Sequence, residues 1–311
     1  MHLLPAHGFD RYRNYPASRP DAWQEYARAR LRDLADDSEW TFHLAGIEKN
    51  GSLLGCRISA WDLEHYGFKL GFLHVLARGE GSGANAAQEQ TLRDCMEHFQ
   101  SEGVGMVVTR VSGFDLFSIH SLEKHGFRYY ETEVSPIVKV GPAHLQGDPD
   151  VRLMAEEDIE AVKRIAVRGQ FPSGHYQLDG QLDQERVARM YAKWVESAWK
   201  RGEPVAVIAP EGTPLGYFIF RFSPDLSNAL GLQFGSLRAL AIDPDARGRA
   251  LGRRLFNGTL ALLGYGGAQF IESTYSTKNF VSAGLHTRAQ FMSAYEEVTM
   301  HCWLNAKGAR T

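Results

Sequence analysis

Leu237-Arg238-Ala239-Leu240-Ala241-Ile242-Asp243-Pro244-Asp245-Ala246-Arg247-Gly248-Arg249-Ala250-Leu251-Gly252-Arg253-Arg254 decides how this chain folds. Its first six residues read as a buried strand that Asp243-Pro244 ends, and Leu251, Leu255, Thr259 and Leu262 then fall on one helix face. A strand, a tight loop and a helix start leave the first helix amides without backbone partners, which suits them to an anion. Arg247, Arg249, Arg253 and Arg254 crowd that helix start, where the macrodipole disfavours cations. A local rule broken so heavily marks a site, and the expected ligand is a polyphosphate. The P-loop of nucleotide triphosphatases does not fit, because no Lys-Ser or Lys-Thr pair closes the loop.

Upstream, Val151-Arg152-Leu153-Met154 reads as a strand, with a helix from about Glu156 and a loop from Gln170 to Tyr176 rich in Gly, Pro and aromatics. Val187, Met190, Tyr191, Trp194, Val195 and Ala198 mark the apolar face of the next helix. Strands follow at Val205 to Ala209 and Leu215 to Phe220. Downstream, Ala268 to Tyr275 reads as a strand, Asn279 opens a short helix, and Phe291 to Leu304 is expected to close the sheet. The order over 151–304 is β-α-α-β-β-β-α-β-α-β.

Composition sets bounds on function. A chain of 311 residues has room for two cores. A formal charge of -3 argues against general nucleic-acid binding, so the arginine cluster is local. Cys56, Cys95 and Cys302 look too few and too scattered for a disulfide framework or a zinc site, and no metal is expected. No stretch approaches the roughly 20 apolar residues of a membrane span, and no early apolar run reads as a signal peptide. The expected compartment is the cytoplasm, with no membrane partner.

The first half repeats the second. Leu70-Gly71-Phe72-Leu73-His74-Val75-Leu76-Ala77 aligns beneath Phe234-Gly235-Ser236-Leu237-Arg238-Ala239-Leu240-Ala241 at an offset of 164 residues. Held without a gap, that offset pairs Val107 with Ile271, Asp115 with Asn279, Ser118 with Ser282 and Phe127 with Phe291. The first copy carries Arg78-Gly79-Glu80-Gly81-Ser82-Gly83-Ala84-Asn85 where the second has Ile242 to Arg249, so Gly83 replaces Arg247 and Asn85 replaces Arg249. Glu80 adds a negative charge there, so the first loop is glycine-rich but wrongly charged for phosphate.

The spacing Arg247-x-x-Ala250-x-Gly252 resembles the acetyl-CoA pyrophosphate loop of the GCN5-related N-acetyltransferases, Gln/Arg-x-x-Gly-x-Gly/Ala, with Ala250 where glycine is commoner. A methyl group is tolerable at Ala250 if that residue is already helical, since alanine is the better helix former. The resemblance implies an α/β (α+β) chain, two tandem copies of an acyl-CoA N-acyltransferase fold with a mixed central sheet flanked by helices. It implies a degenerate copy over 1–145, a catalytic copy over 146–311, and acetyl-CoA as cosubstrate for a small-molecule amine. A homodimer is compatible with it. Leu240, Ala241 and Ile242 would present a backbone amide to the thioester carbonyl. Arg247, Gly248, Arg249, Ala250, Leu251, Gly252 and Arg253 would hold the pyrophosphate, and Asn279 the pantetheine arm or simply a helix N-cap.

Segments also resemble TDP-fucosamine N-acetyltransferases: Trp61-Asp62-Leu63-Glu64-His65-Tyr66-Gly67-Phe68, and the stretch from Phe171 to Lys200. That implies an amino sugar or sugar nucleotide as acceptor, with Trp61, Phe171 and Tyr176 beside it. Other amines, antibiotics or peptide termini stay open, as does a non-enzymatic acyl-CoA-binding module. Where the family commonly holds a tyrosine acid, seven residues after the asparagine, this chain has His286. A histidine can protonate a thiolate, more readily if a carboxylate raises its pKa, and Tyr275 is the reserve donor. Deprotonation of the amine falls to His175, or to water with an acceptor that arrives neutral.

Overall fold

The computed structural model describes residues 4–5, 10–46, 50–79, 81–169 and 171–304; Glu80 and Gln170 lie outside the described residues. In chain order the elements begin with β1 (Leu4–Pro5), α1 (Ala22–Ala35), β2 (Trp40–Ala45), β3 (Ser52–Ser59), α2 (Ala60–Tyr66) and β4 (Lys69–Arg78). Next come α3 (Gly81–Ser101), β5 (Val104–Ser112), α4 (Leu116–Lys124), β6 (Arg128–Lys139) and β7 (Val151–Leu153). Then follow α5 (Ile159–Gly169), α6 (His175–Leu178), α7 (Gln184–Lys200), β8 (Val205–Ile208), β9 (Gly216–Phe222) and α8 (Pro224–Leu230). The last are β10 (Phe234–Ile242), α9 (Leu251–Tyr265), β11 (Phe270–Glu272), β12 (Tyr275–Ser276), α10 (Phe280–Arg288) and β13 (Met292–Trp303).

These elements form two compact units. One holds the described residues up to Glu133 together with those from Tyr295 onward; the other is Val134–Ala294. The division expected at 145/146 is therefore corrected in two ways: the boundary comes earlier, within β6, and the chain's last strand returns to the first unit.

In the second unit the sheet runs β6-β11-β10-β9-β8-β7. The second half of β6 pairs antiparallel with β11, Ile271 opposite Val138, and β11 is parallel to β10. The strand predicted over Ala268 to Tyr275 is interrupted at Ser273 and Thr274, and α8 lies in a stretch without a helical apolar period. Leu251, Leu255, Phe256, Leu260 and Leu263 of α9 are buried against Leu237, Phe218, Phe220 and Ile271 of the sheet. Each such side chain contributes roughly 1.5–3 kcal/mol of apolar burial. Gly258 permits the close approach, because a Cβ there would meet Val151 at 2.8 Å.

In the first unit the order is β2-β3-β4-β5-β13, with β1 also pairing antiparallel to β4. Its core gathers Leu54, Leu73, Leu92, Phe99, Val107, Leu122, Phe127 and Met300. β13 pairs antiparallel with β5, from Glu297 opposite Ser112 to Trp303 opposite Met106. β6 and β13 correspond at the 164-residue offset, yet the second half of β6 serves the second unit and most of β13 serves the first. The closing strands are exchanged, so Phe291 to Leu304 does not close its own copy's sheet.

Trp61 sits on helix α2, its ring 4.0 Å from that of His65. One further expectation changes. The cysteines are not all scattered in space: the ligand atoms of Cys56, Cys95 and His43 lie within 4.8 Å of one another. Among the described residues, no helix is long and apolar enough to cross a membrane.

Candidate active site

β10 carries the irregularity on which the site is built. Its register with β9 shifts between Leu237 and Leu240, opposite Phe220 and Phe218, so β10 gains one residue there. Such a bulge bends the strand and re-aims its groups. Pairing with β11 stops at Ser236 opposite Glu272, while pairing with β9 continues to Ile242 opposite Gly216. From Leu237 to Ile242 the strand is therefore laddered on one edge only among the described residues. Leu240, Ala241 and Ile242 lie on that stretch.

Beyond β10 the loop turns through a short helical segment at Pro244–Ala246, fixed by the Asp243 carboxylate, which accepts from the Asp245 amide at 3.0 Å. Arg168 clamps this turn to the end of α5, pairing with Asp243 at 3.0 Å and Asp245 at 2.7 Å. Gly248 has φ +79° and Ala250, the N-cap of α9, has φ +58°. Ala250 is thus left-handed, not helical, which corrects the reading that its methyl is innocuous. A non-glycine residue in that region costs roughly 1–2 kcal/mol. Among the described residues, the amides of Gly248, Arg249, Ala250, Leu251 and Gly252 donate to no protein acceptor, whereas Arg253 and Arg254 donate to the Ala250 carbonyl. Five such donors at a helix mouth form an anion cradle.

The four arginines divide into two kinds. Arg247 donates to the Gly169 carbonyl at 2.6 Å, capping α5 rather than facing a ligand. Arg254 binds Asp148 at 2.7 Å and also Asp150, which holds the Asp148 carboxyl below the usual carboxylate range. The side chains of Arg249 and Arg253 are exposed and make no hydrogen bond or ion pair among the described residues. They are the two cations of this stretch without a protein partner there.

Asn279 caps α10, its side-chain oxygen accepting from the Ser282 amide at 3.0 Å. His286 lies one turn beyond Ser282 and is 3% exposed. Its Nδ1–H donates to the Ser282 carbonyl and its Nε2 accepts from the Ser273 hydroxyl, both at 2.8 Å. Phe256, Tyr275 and Phe291 surround the ring at centroid distances of 4.9, 4.7 and 4.8 Å. Burial pushes its pKa down to about 4. A neutral imidazole with both nitrogens engaged has no proton to give, so the acid role expected of His286 is not what this geometry provides. Tyr275 is half-buried, and its hydroxyl has no hydrogen-bond partner among the described residues.

An aromatic cluster stands on α6, α7 and the segment before them. Phe171 packs on Tyr191 at 4.5 Å, Tyr191 on Trp194 at 5.2 Å, and His175 on Tyr176 at 3.9 Å. The Tyr191 hydroxyl donates to Gln177 Oε1 at 2.9 Å. His175 and Tyr176 are buried, while Trp194 is 39% exposed. Helical spacing had assigned Trp194 to the core face; periodicity identifies a stripe but not which end of it stays uncovered. Trp61 belongs to the other unit.

Residues 173–291 match the family described as the acetyltransferase (GNAT) family. The fold is that of the GNAT acyltransferases. A GCN5-related N-acetyltransferase from Sphaerobacter thermophilus is similar with a TM-score of 0.58 at 13% identity, over 95% of this chain and 98% of that one. A tandem GNAT protein from the clavulanic acid biosynthesis pathway is similar with a TM-score of 0.52 at 15% identity, over 82% and 80%. A GCN5-related glucosamine N-acetyltransferase region of a fungal multi-domain β-N-acetylglucosaminidase gives a TM-score of 0.59 at 14% identity, over 94% of this chain and 36% of that one. No curated protein matches the chain, and the resemblance to TDP-fucosamine N-acetyltransferases is not supported.

Within the GNAT fold the first unit differs at each corresponding place. β4 has the same kind of bulge, opposite Leu53 and Leu54, and its pairing with β5 stops at Leu73. The edge beyond is taken by β1, with Leu4 opposite Arg78 and Pro5 opposite Ala77. Helix α3 starts at Gly81, equivalent to Asp245, so most of the loop has become helix. Arg78, Gln88 and Asp115 stand at the positions of Ile242, Gly252 and Asn279, and they bond to one another: Arg78 to Asp115 at 3.2 Å and to Gln88 at 3.4 Å. Gln88 also donates to Ser118 at 2.6 Å.

Proposed function

We propose that the second unit transfers an acetyl group from acetyl-CoA directly to a primary amine of a small molecule. The observation that carries this reading is the cradle of five amides, Gly248 to Gly252, without a protein acceptor among the described residues, at the end of a strand that β11 no longer pairs with beyond Ser236. The cradle suits the CoA pyrophosphate, with Arg249 and Arg253 free to add charge-assisted bonds. The open edge suits the pantetheine amides, and a β10 amide near Leu240 to Ile242 would polarise the thioester carbonyl as negative charge develops on its oxygen. The amine attacks that carbon, the C–S bond breaks, the departing thiolate takes a proton, and the acylated nitrogen loses one to water. Tyr275 is the donor this reading assigns, its ring held by the aromatic wall around His286. Direct transfer needs no enzyme nucleophile.

For the acceptor, we infer an amino sugar. Phe171, Tyr191 and the partly exposed Trp194 offer the flat apolar surface on which a sugar ring packs. A structurally similar region is described as a glucosamine N-acetyltransferase. The test is an acetyl-CoA consumption assay against pooled amino sugars, nucleotide-linked amino sugars and aminoglycosides, with calorimetry of CoA binding alongside. Turnover with the amino-sugar pool supports the reading. Turnover confined to another pool replaces the acceptor, and CoA binding without transfer to any amine points to a non-enzymatic acyl-CoA-binding module.

A further inference from the structure

The second candidate site lies wholly in the first unit. β2 and β3 pair with His43 opposite Leu54 and Thr41 opposite Cys56, so His43 and Cys56 are diagonal neighbours on one face of the sheet. Helix α3 packs on that face and brings Cys95 to it; Cys56 is 1% and Cys95 0% exposed. The two sulfurs and a His43 ring nitrogen all fall within 4.8 Å of one another. His43 Nε2 is buried and has no hydrogen-bond partner among the described residues, which a neutral imidazole in a hydrophobic setting tolerates poorly. One turn after Cys95, His98 places its ring 5.7 Å from that of His43.

We propose that His43, Cys56 and Cys95, completed by His98, form a structural site for a borderline-soft divalent ion, with zinc as the fitting metal. Two thiolates and two imidazoles are a frequent zinc donor set, and their charges cancel to zero around the ion. Tetrahedral donors on zinc stand about 3.5–3.8 Å apart, so a contraction of roughly 1 Å closes the set of His43, Cys56 and Cys95, and His98 joins by turning its side chain toward them. Thiolates are the metal-binding form of cysteine, so binding forms two metal–sulfur and two metal–nitrogen bonds and releases the two thiol protons to solvent. The ion would tie β2, β3 and α3 together, in the unit that lacks an acyl-CoA cradle.

The full-length chain, reduced and stripped with chelator, is titrated with Co²⁺ and then Zn²⁺. One cobalt per chain is expected, with a thiolate-to-metal charge-transfer band that zinc abolishes, two protons released in weak buffer, and a higher melting temperature. Cys56→Ser and Cys95→Ser should each remove the band, while Cys302→Ser should keep it. Should the cysteine variants fold poorly, His43→Ala alters only a partly exposed position and should weaken cobalt binding at least about tenfold, the lower end of what indirect metal contacts cost. The proposal is overturned by reduced, folded protein that shows no charge-transfer band. A band surviving both cysteine replacements, or a Cys56–Cys95 disulfide in the protein as isolated, also overturns it.

Discussion

In the second unit β10 runs past its last pairing with β11 at Ser236 and no strand takes up that edge among the described residues, whereas in the first unit β4 runs past Leu73 and meets β1 at Ala77 and Arg78. The same duplicated strand thus ends as an open edge in one copy and a filled one in the other. The side chains follow suit. Tyr275 and His286 correspond to Val111 and Leu122, and Ser273 to Thr109, whose hydroxyl is buried without a partner because no imidazole stands where His286 does. Where the second copy leaves donors unused, the first spends Arg78, Gln88 and Asp115 on one another. A duplicated fold keeps its bulge because the sheet is built around it; what changes is whether polar groups near the bulge are left without protein partners.

The sharpest way to break this contrast is to remove the proton donor proposed for the second unit. Tyr275→Phe should lower kcat about 10²–10⁴-fold with little change in the acetyl-CoA KM, as general acid catalysis is typically worth that much. Steady-state kinetics showing less than a threefold loss would reject the assignment. His286 gives the next effect, on stability. Its pKa is about 4 when folded against an ordinary 6.5, so it contributes stability fully present above pH 6.5 and lost as pH falls toward 4. The loss should reach about 3 kcal/mol in urea unfolding, and His286→Asn should flatten the profile over that window. If wild type and variant show parallel profiles, the imidazole is not neutral in the fold.

Replacing both Arg249 and Arg253 with alanine should weaken acetyl-CoA binding about 100-fold, while Arg254→Ala should lower the melting temperature by releasing Asp148 and Asp150. Calorimetry should also give one acetyl-CoA per chain; two would abolish the distinction between the units. The smallest effect belongs to Ala250→Gly. Relief of the left-handed backbone should add about 1 kcal/mol and raise the melting temperature by roughly 2–4 °C. An unchanged or lower melting temperature would show that the alanine is not strained.

Much of the second unit was legible because local chemistry and global fold agree there: strand, Asp-Pro stop, loop and helix follow one another within eighteen residues. The repeat was legible through loop positions such as Asp115 and Asn279, both of which cap helices. The exchange of β6 and β13 was not, because an offset shows which strands are equivalent but not which neighbour each one bonds. Ala250 misled because helix propensity says nothing about the residue just before a helix. Arg247 and Arg254 find their partners 78 and 106 residues away, a separation that no window of sequence spans. The burial of His286 has no local signal either, because the three aromatic rings that close over it come from separate elements.

The exchanged strands also set an order of events on the ribosome. β5 is complete when residue 112 has been made, but the strand that covers its edge ends at residue 303. Until then the first unit carries an exposed row of backbone donors and acceptors, the kind of edge that recruits other chains. Its own β6 leaves part of its length to the neighbouring fold. The first unit therefore matures only when the end of β13 has been made, and a messenger cut short after the first copy would encode a sheet with no closing strand.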